Sequence, residues 1–370
     1  MLSQVMFNKE KWMATLMLDS VTGLDPPGAK VRAAEGIDAA SSFIQGYWLW
    51  SKIVENLAVV NYDTNNLHLA PYDWRLSYYN LEVRDGYFSK LKATIEGFVA
   101  RENKRVVLVA HSMGSTVRHL SFKWVESPEH GKGGPDWVEK NVEALVAIAG
   151  THLCQVKAMS ALLSGEMKDT VQMNPAGAYV LERFFSRRER QNLFRSWAGS
   201  ASMWMKGGEA VWGNATFAPD DIFGYAQSHG ELVVFRPSVV ETEGKYSLLK
   251  NMTASEAGTW ILERTPTHFQ KMIASNYSFG IERDEQALER NNLDHTKWTN
   301  PLEIQLPHAP TTKFYCVYGH GKDTEVSHMY GVLETCLTIL RSVHTDETVF
   351  PKVINGVRMG EGDGTVNLLS

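Results

Sequence analysis

Residues 105 to 114 read Arg105-Val-Val-Leu-Val-Ala-His-Ser-Met-Gly114, and the segment through Val125 continues with Val117, Leu120 and Trp124 at helical spacing. The β-branched run 105–110 suits a strand buried on both faces of a parallel sheet. A helix then begins at Gly114. Between them stands Ala110-His-Ser-Met-Gly114, the pattern small-x-Ser-x-small. A turn this sharp brings neighbouring backbone close, so the positions two before and two after the serine must be small, and Ala110 and Gly114 are. Such a pentapeptide is common by chance. The strand before it and the helix after it make it a nucleophile elbow rather than a plain tight turn. The elbow lifts the Ser112 hydroxyl above the sheet edge and sets the Met113 N–H at a helix N-terminus, where it can stabilise an oxyanion.

Outward from the elbow the same alternation continues. Residues 80–100 carry Leu81, Phe88, Leu91, Ile95 and Phe98 at spacings that predict a helix, and Val142–Ala149 reads as a second buried strand. Helix, strand, helix, strand in that order predicts an α/β fold with a parallel sheet. Residues 47–58 form an aromatic-rich amphipathic stretch expected to be helical, and 67–74 is short and extended around Pro71. Residues 155–310 are richer in Met, Trp, Ser and Asn and show no clear buried strand before Lys313, which predicts a mostly helical insertion. Phe314–Tyr318 returns to strand, and Glu361-Gly-Asp-Gly-Thr-Val366 is a loop signal. The expected division is 1–154 and 311–370 as two parts of one core, with 155–310 as a cap.

The 370 residues are 44% hydrophobic and 21% charged, with a formal net charge of −5. This composition can bury a core and gives no support to a nucleic-acid partner. The densest basic run, Arg187, Arg188 and Arg190, reads as a helix surface. Cys154, Cys316 and Cys336 lack metal-ligand spacing, which argues against a metal site and leaves a Cys316–Cys336 bridge open. No run reaches the roughly 18 to 20 apolar residues of a membrane span, and the first ten residues lack the order of a signal peptide. Sequons begin at Asn214, Asn251 and Asn276, close to the number this asparagine content gives by chance. Gly23-Leu-Asp-Pro-Pro-Gly28 has a faint phosphate-loop spacing, but Pro26 and Pro27 offer no N–H to a phosphate.

A serine hydroxyl needs a base. In this fold the triad runs Ser, then Asp or Glu, then His. Asp363, in Gly-Asp-Gly after the strand at 314–318, is the best acid, with a surface-turn role as the alternative. No histidine follows it, and the last is His344. His111 points away at the elbow, and His119, His152, His320 and His328 stand in the wrong chain order. The expectation is that no histidine nitrogen reaches the Ser112 hydroxyl. His68 and Asp73 have the His-x4-Asp spacing of acyl-CoA-dependent glycerolipid acyltransferases, but their extended, proline-containing segment argues against that chemistry.

Leu18-Asp-Ser-Val-Thr-Gly-Leu-Asp-Pro-Pro27, Pro71-Tyr-Asp-Trp-Arg-Leu76, His111-Ser-Met-Gly114, Phe122-Lys-Trp-Val-Glu126, Ser164-Gly-Glu-Met-Lys-Asp-Thr170, Trp298-Thr-Asn-Pro-Leu-Glu303, Phe314-Tyr-Cys-Val-Tyr-Gly319 and Gly362-Asp-Gly-Thr-Val366 stand in order along nearly the whole chain. Together they resemble the lecithin–cholesterol acyltransferase family, most closely its phospholipid:diacylglycerol acyltransferase branch in the fungal form. The resemblance implies an α/β-hydrolase fold with a cap, and transfer of a fatty acyl group from phospholipid to diacylglycerol. The products are triacylglycerol and a lysophospholipid, and neither acyl-CoA, another cofactor nor a metal is needed. Ser112 would carry the acyl group, Asp363 would orient the base, and Met113 would give one oxyanion N–H. It also implies a membrane-surface setting on the luminal side of the endoplasmic reticulum. The second oxyanion donor and a membrane anchor are expected upstream of Met1, and the histidine downstream of Ser370.

This chain departs from the family pattern at several positions. Cys154 and Val156 stand where Gly and Pro are usual. Trp204 and Met205 replace Leu and Pro, His320 and Asp323 replace an apolar residue and a proline, and Asn367 replaces a proline. Two other readings stay open: a phospholipase of the same fold, and a non-catalytic homologue that binds lipid or a partner. A sheet without its first strands is also expected to expose apolar edges and to limit solubility.

Overall fold

The structure is a computed structural model that describes residues 8–44, 47–153, 155–166, 173–219, 221, 230–235, 250–333, 338–341 and 353–370. In chain order the elements are α1 (Lys9–Leu16), β1 (Ser42–Ile44), β2 (Tyr47–Trp48), α2 (Ser51–Val59), α3 (Tyr78–Asp85), α4 (Tyr87–Glu102), β3 (Val106–His111), α5 (Gly114–Glu126), α6 (Trp137–Asn141) and β4 (Val142–Ile148). There follow α7 (Val156–Ser164), α8 (Pro175–Phe184), α9 (Arg187–Phe194), α10 (Gly208–Trp212), β5 (Glu231–Phe235), β6 (Met252–Thr253), α11 (Ala254–Glu263), α12 (Thr267–Ala274) and α13 (Glu285–Asn291). The chain closes with β7 (Lys313–Val317), β8 (Thr324–Leu333), β9 (Thr338–Arg341), β10 (Val353–Ile354) and β11 (Val357–Gly360).

Strands β3, β4 and β7 make a parallel three-stranded sheet in that order. The two strands expected around the elbow are therefore present, and the arrangement is α/β. The expectation that β3 is buried on both faces is not met. Val107 and Val109 are half-exposed, and the register sets Val109 beside Val146 and Tyr315 on the same face. Among the described residues the sheet's helical contacts come from α4, α5 and α6, and that layer covers the opposite face. Val117, Leu120 and Trp124 of α5 are buried there as their spacing requires, and Trp124 meets Phe88 of α4 with ring centroids 5.9 Å apart.

The predicted helix over 80–100 is two helices. Gly86, at φ 60°, ends α3 and starts α4 in the left-handed region, which glycine enters at little cost. Leu81 and Phe88 are both fully buried, so the apolar spacing runs across the break and hides it from sequence. The stretch 47–58 is a short strand and then α2 rather than one helix.

The segment 155–310 holds helices but is not without a buried strand. In β5, Leu232 to Phe235 are buried. This strand pairs in parallel with β8 and antiparallel with β6, inside a six-stranded sheet ordered β10-β11-β8-β5-β6 with β9 alongside β8. A five-residue run followed by Pro237 is too short to stand out against its surroundings. Its burial comes from a partner strand over ninety residues away. The basic run lies on α9 as expected, but Arg190 is buried. Its guanidinium donates to the carbonyls of Gly165 and Phe185 and to Glu182, so it anchors the helix. The Ser186–Glu189 capping box satisfies the first turn of that helix. Cys316 is free and exposed, so the bridge left open does not form at that residue. Cys154, Cys336 and His344 lie outside the described residues.

Candidate active site

At Ser112 the backbone turns from β3 into α5 with φ 51°. A non-glycine residue in the left-handed region stores strain of order 1–3 kcal/mol, and it persists only where surrounding structure holds it. Here the Ser112 amide donates to Ile148 O of the neighbouring strand at 2.9 Å, and Ser112 O accepts from the Ser115 amide at 3.0 Å. A methyl group built on Gly114 would lie 3.9 Å from the Ala110 Cβ, an ordinary contact. An alanine would therefore fit at 114, and the size restriction applies to anything larger.

The Met113 amide sits at the start of the thirteen-residue α5, where helix dipole and unpaired N–H groups favour an anion. The Met113 carbonyl is held from below. It accepts from the Thr116 amide at 3.1 Å and the Thr116 hydroxyl at 2.8 Å, and that hydroxyl accepts from the buried Tyr78 OH at 2.7 Å. Tyr78 opens α3, whose cap is Ser77, the residue that follows the Pro71–Leu76 stretch. That stretch is held in place by an ion network (the sum of its charges is zero). Asp73, Asp25 and Asp85 face Arg75, Arg84 and Arg32. Burial alone would raise the Asp73 pKa. The hydrogen bonds and charge of Arg75, with a bond from Arg84, outweigh that and hold it below the usual carboxylate value. With Asp73 so engaged and His68 exposed, this pair does not form an acyl-CoA-type dyad.

Asp363 stands at the C-terminal end of the same parallel sheet. Its loop pairs with the loop after β7: Lys322 N donates to Gly362 O at 3.1 Å, and a methyl on Gly319 would lie 2.7 Å from the Asp363 Cβ. Asp363 Oδ1 accepts from the amides of Thr365 and Val366 at 2.8 and 2.7 Å, which fixes the carboxylate. Ser112 follows β3 and Asp363 packs behind β7, two strands over. Two strand spacings are about 10 Å, too far for direct contact and wide enough for an imidazole between.

No hydrogen bond joins the Ser112 hydroxyl to a histidine among the described residues. His111 is exposed and meets Trp50 edge-on at 6.4 Å. His328 pairs with Glu325 at 2.9 Å inside the six-stranded sheet, and His320 is exposed. His119 and His152, though near the elbow, hold each other: His119 Nε2 lies 3.1 Å from His152 Nδ1 and 3.2 Å from an Arg118 nitrogen. Burial, then the charges of Arg118 and Lys206, push the His152 pKa down to about 4, and the His119 pKa also falls well below its usual value. Sequence reasoning did not find this buried basic cluster. Two histidines 33 residues apart carry no local signal. Among the described residues no three His, Cys, Asp or Glu side chains are grouped to hold a metal ion.

A sequence model of the lecithin:cholesterol acyltransferase family matches residues 1–370. The chain is 45% identical over its whole length to the phospholipid:diacylglycerol acyltransferase of Schizosaccharomyces pombe, covering 57% of that protein. It is 39% identical to the protein of the same name in Saccharomyces cerevisiae, again over the whole chain and 55% of the relative. Phospholipid:diacylglycerol acyltransferase 1 of Arabidopsis thaliana is 31% identical over 97% of the chain and 64% of the relative. The chain thus spans little more than half the length of the fungal relatives. Because the family match takes in the elbow, the Asp363 loop and everything between them, the chain belongs to the lecithin:cholesterol acyltransferase family.

Proposed function

We propose that this chain carries the acyl-transfer chemistry of a phospholipid:diacylglycerol acyltransferase. The observation that carries the reading is Ser112 at positive φ between β3 and α5, with the Met113 N–H beside it at the helix N-terminus. In this reading the Ser112 oxygen attacks the carbonyl carbon of a phospholipid ester while a base takes its proton. The oxyanion faces the Met113 N–H. Collapse breaks the ester C–O bond, and the proton passes to the lysophospholipid oxygen. The diacylglycerol hydroxyl then attacks acyl-Ser112 and gives its proton to the base; triacylglycerol leaves and the serine is restored. Asp363 orients the base.

The reading also takes the parallel sheet as part of an α/β-hydrolase sheet and residues 155–310 as its cap. The substrates are lipids, so the site works at a membrane surface, and we place it on the luminal side of the endoplasmic reticulum. Among the described residues no helix is long and apolar enough to cross a membrane. A shift in mobility on endoglycosidase treatment, lost on changing Asn214, Asn251 and Asn276, would support that side; protection of none of them would oppose it.

The experiment supplies phospholipid with a labelled acyl chain together with diacylglycerol, and counts label in triacylglycerol against free fatty acid. Transfer predicts triacylglycerol, lost in Ser112→Ala. Label only in free fatty acid would make the protein a phospholipase, the two reactions differing in whether alcohol or water attacks the acyl-enzyme. One observation favours a second reading, a lipid-binding homologue without turnover: no described histidine bonds to Ser112. Neither product would form in that case.

A further inference from the structure

Helix α8 is seated by one side and apolar on the other. Phe185, just past its end, meets Trp12 of α1 with ring centroids 5.1 Å apart, and Arg190 of α9 donates to Glu182 and to the Phe185 carbonyl. Its first turn is closed by Asn174, whose Oδ1 accepts from the Gly177 amide at 2.8 Å, with Pro175 at the first helical position. The helix is therefore formed and anchored without help from its outer face. There Ala176, Val180 and Phe184 follow at spacings of four, which stacks them along one side. All three are exposed, with Tyr179 and Met173 exposed beside them; Tyr179 is 73% and Val180 52% exposed. Single apolar side chains on a surface are ordinary, but a contiguous strip marks a contact. The charge beside the strip is positive, although the chain as a whole carries −5. Glu182 and Glu189 are neutralised by Arg190 and Lys9. Arg183 and Arg188 are exposed and have no ion-pair partner among the described residues.

We propose that the outer face of α8 docks on an anionic lipid bilayer. Tyr179, Val180 and Phe184 enter the boundary between headgroups and acyl chains, and Arg183 and Arg188 face the lipid phosphates. An apolar strip flanked by unpaired basic side chains is what a helix lying in that plane requires. A second copy of the chain is a poorer occupant. A two-fold contact sets the same patch against itself, so the two arginines of one copy would meet those of the other. The docking rests on the reading that the substrates are membrane lipids, and gives that reading a surface.

Flotation with vesicles of equal parts phosphatidylcholine and phosphatidylserine tests it. The chain should bind, and Val180→Ser with Phe184→Ser should weaken binding about tenfold or more through lost apolar burial. Arg183→Gln and Arg188→Gln should each weaken it about fivefold, and only when phosphatidylserine is present. All four positions are exposed, so melting temperatures should change little. Binding equal in the double serine variant and the unmodified protein would overturn the docking. It would leave acyl transfer standing, which is read separately from labelled triacylglycerol with detergent-dispersed substrates. Absence of binding to these vesicles, an arginine effect of the same size on phosphatidylcholine alone, or a dimer in light scattering that the double serine variant breaks would also overturn it. The last result would make the face an interface between copies.

Discussion

Replacing Asp73 by alanine should destabilise the protein far more than any exposed ion pair. Asp73 Oδ1 accepts from Arg75 Nε at 2.9 Å, and Oδ2 accepts from Arg75 Nη2 at 2.6 Å and lies 2.9 Å from Arg84 Nη1. The side chains of Asp73, Arg75 and Arg84 are all 6% exposed or less. Alanine leaves two buried guanidinium groups sharing Asp25, with Asp85 still paired to Arg84, and Arg75 loses its bidentate partner. Breaking a buried pair by removing one partner costs about 3–5 kcal/mol, because an uncompensated charge stays behind. With a urea slope of about 3 kcal/mol per M, that lowers the unfolding midpoint by about 1 to 1.7 M. Glu55→Ala is the control: Glu55 and Lys52 are 58% and 61% exposed, and exposed pairs contribute about 0–1 kcal/mol. The pH dependence follows from the sign of the Asp73 shift. Its folded pKa is depressed, so its contribution is complete above the unfolded value of about 3.9 and is lost as pH falls through the lower folded value. The gap between unmodified protein and Asp73→Ala should therefore hold from pH 8 to 5 and close only in stronger acid. An Asp73→Ala loss no larger than that of Glu55→Ala, or a gap that widens below pH 4, would refute the reasoning.

Other consequences follow from the same geometry. Ser112→Gly should raise stability by about 1 kcal/mol in thermal unfolding by relieving a positive φ, while removing the nucleophile; a loss of stability would mean the elbow is not strained. His119 and His152 are held neutral by burial, with folded pKa values below the unfolded 6.5. Their contribution is present above pH 6.5 and is lost as pH falls towards about 4, so melting temperature should fall across that window. His152→Phe should flatten the fall by up to about 1.4 kcal/mol per pH unit. Gly213→Ala should cost several kcal/mol, since its Cβ would lie 2.2 Å from Phe217 O at φ 81°; a melting temperature unchanged by it would contradict the turn described.

The elbow was legible because everything it needs is local: a β-branched run, a small residue, a serine and helical spacing lie within twenty residues. Asp363 was legible from chain order and its Gly-Asp-Gly setting, and it does stand at the end of the sheet that carries Ser112. What sequence missed is non-local. The burial of β5 depends on β8, and the bidentate Asp73–Arg75 pair sits close in sequence but is completed by Asp25 from 48 residues earlier. The open face of β3 has the same origin, since burial on both faces needs two helical layers and a strand's composition cannot say whether both are present. Gly86 had a signal, but buried apolar residues in register on both sides masked it.

The central claim is that Ser112 and Asp363 flank the place of an imidazole that the described residues do not fill. Chemical rescue tests this most directly: a serine-directed phosphonate is added to the chain with and without free imidazole, and the labelled peptide is identified by mass spectrometry. Slow labelling that imidazole accelerates, confined to the peptide of Ser112 and lost in both Ser112→Ala and, for the acceleration, Asp363→Ala, is the expected result. Fast labelling of Ser112 without imidazole, or labelling that imidazole leaves unchanged, would contradict it.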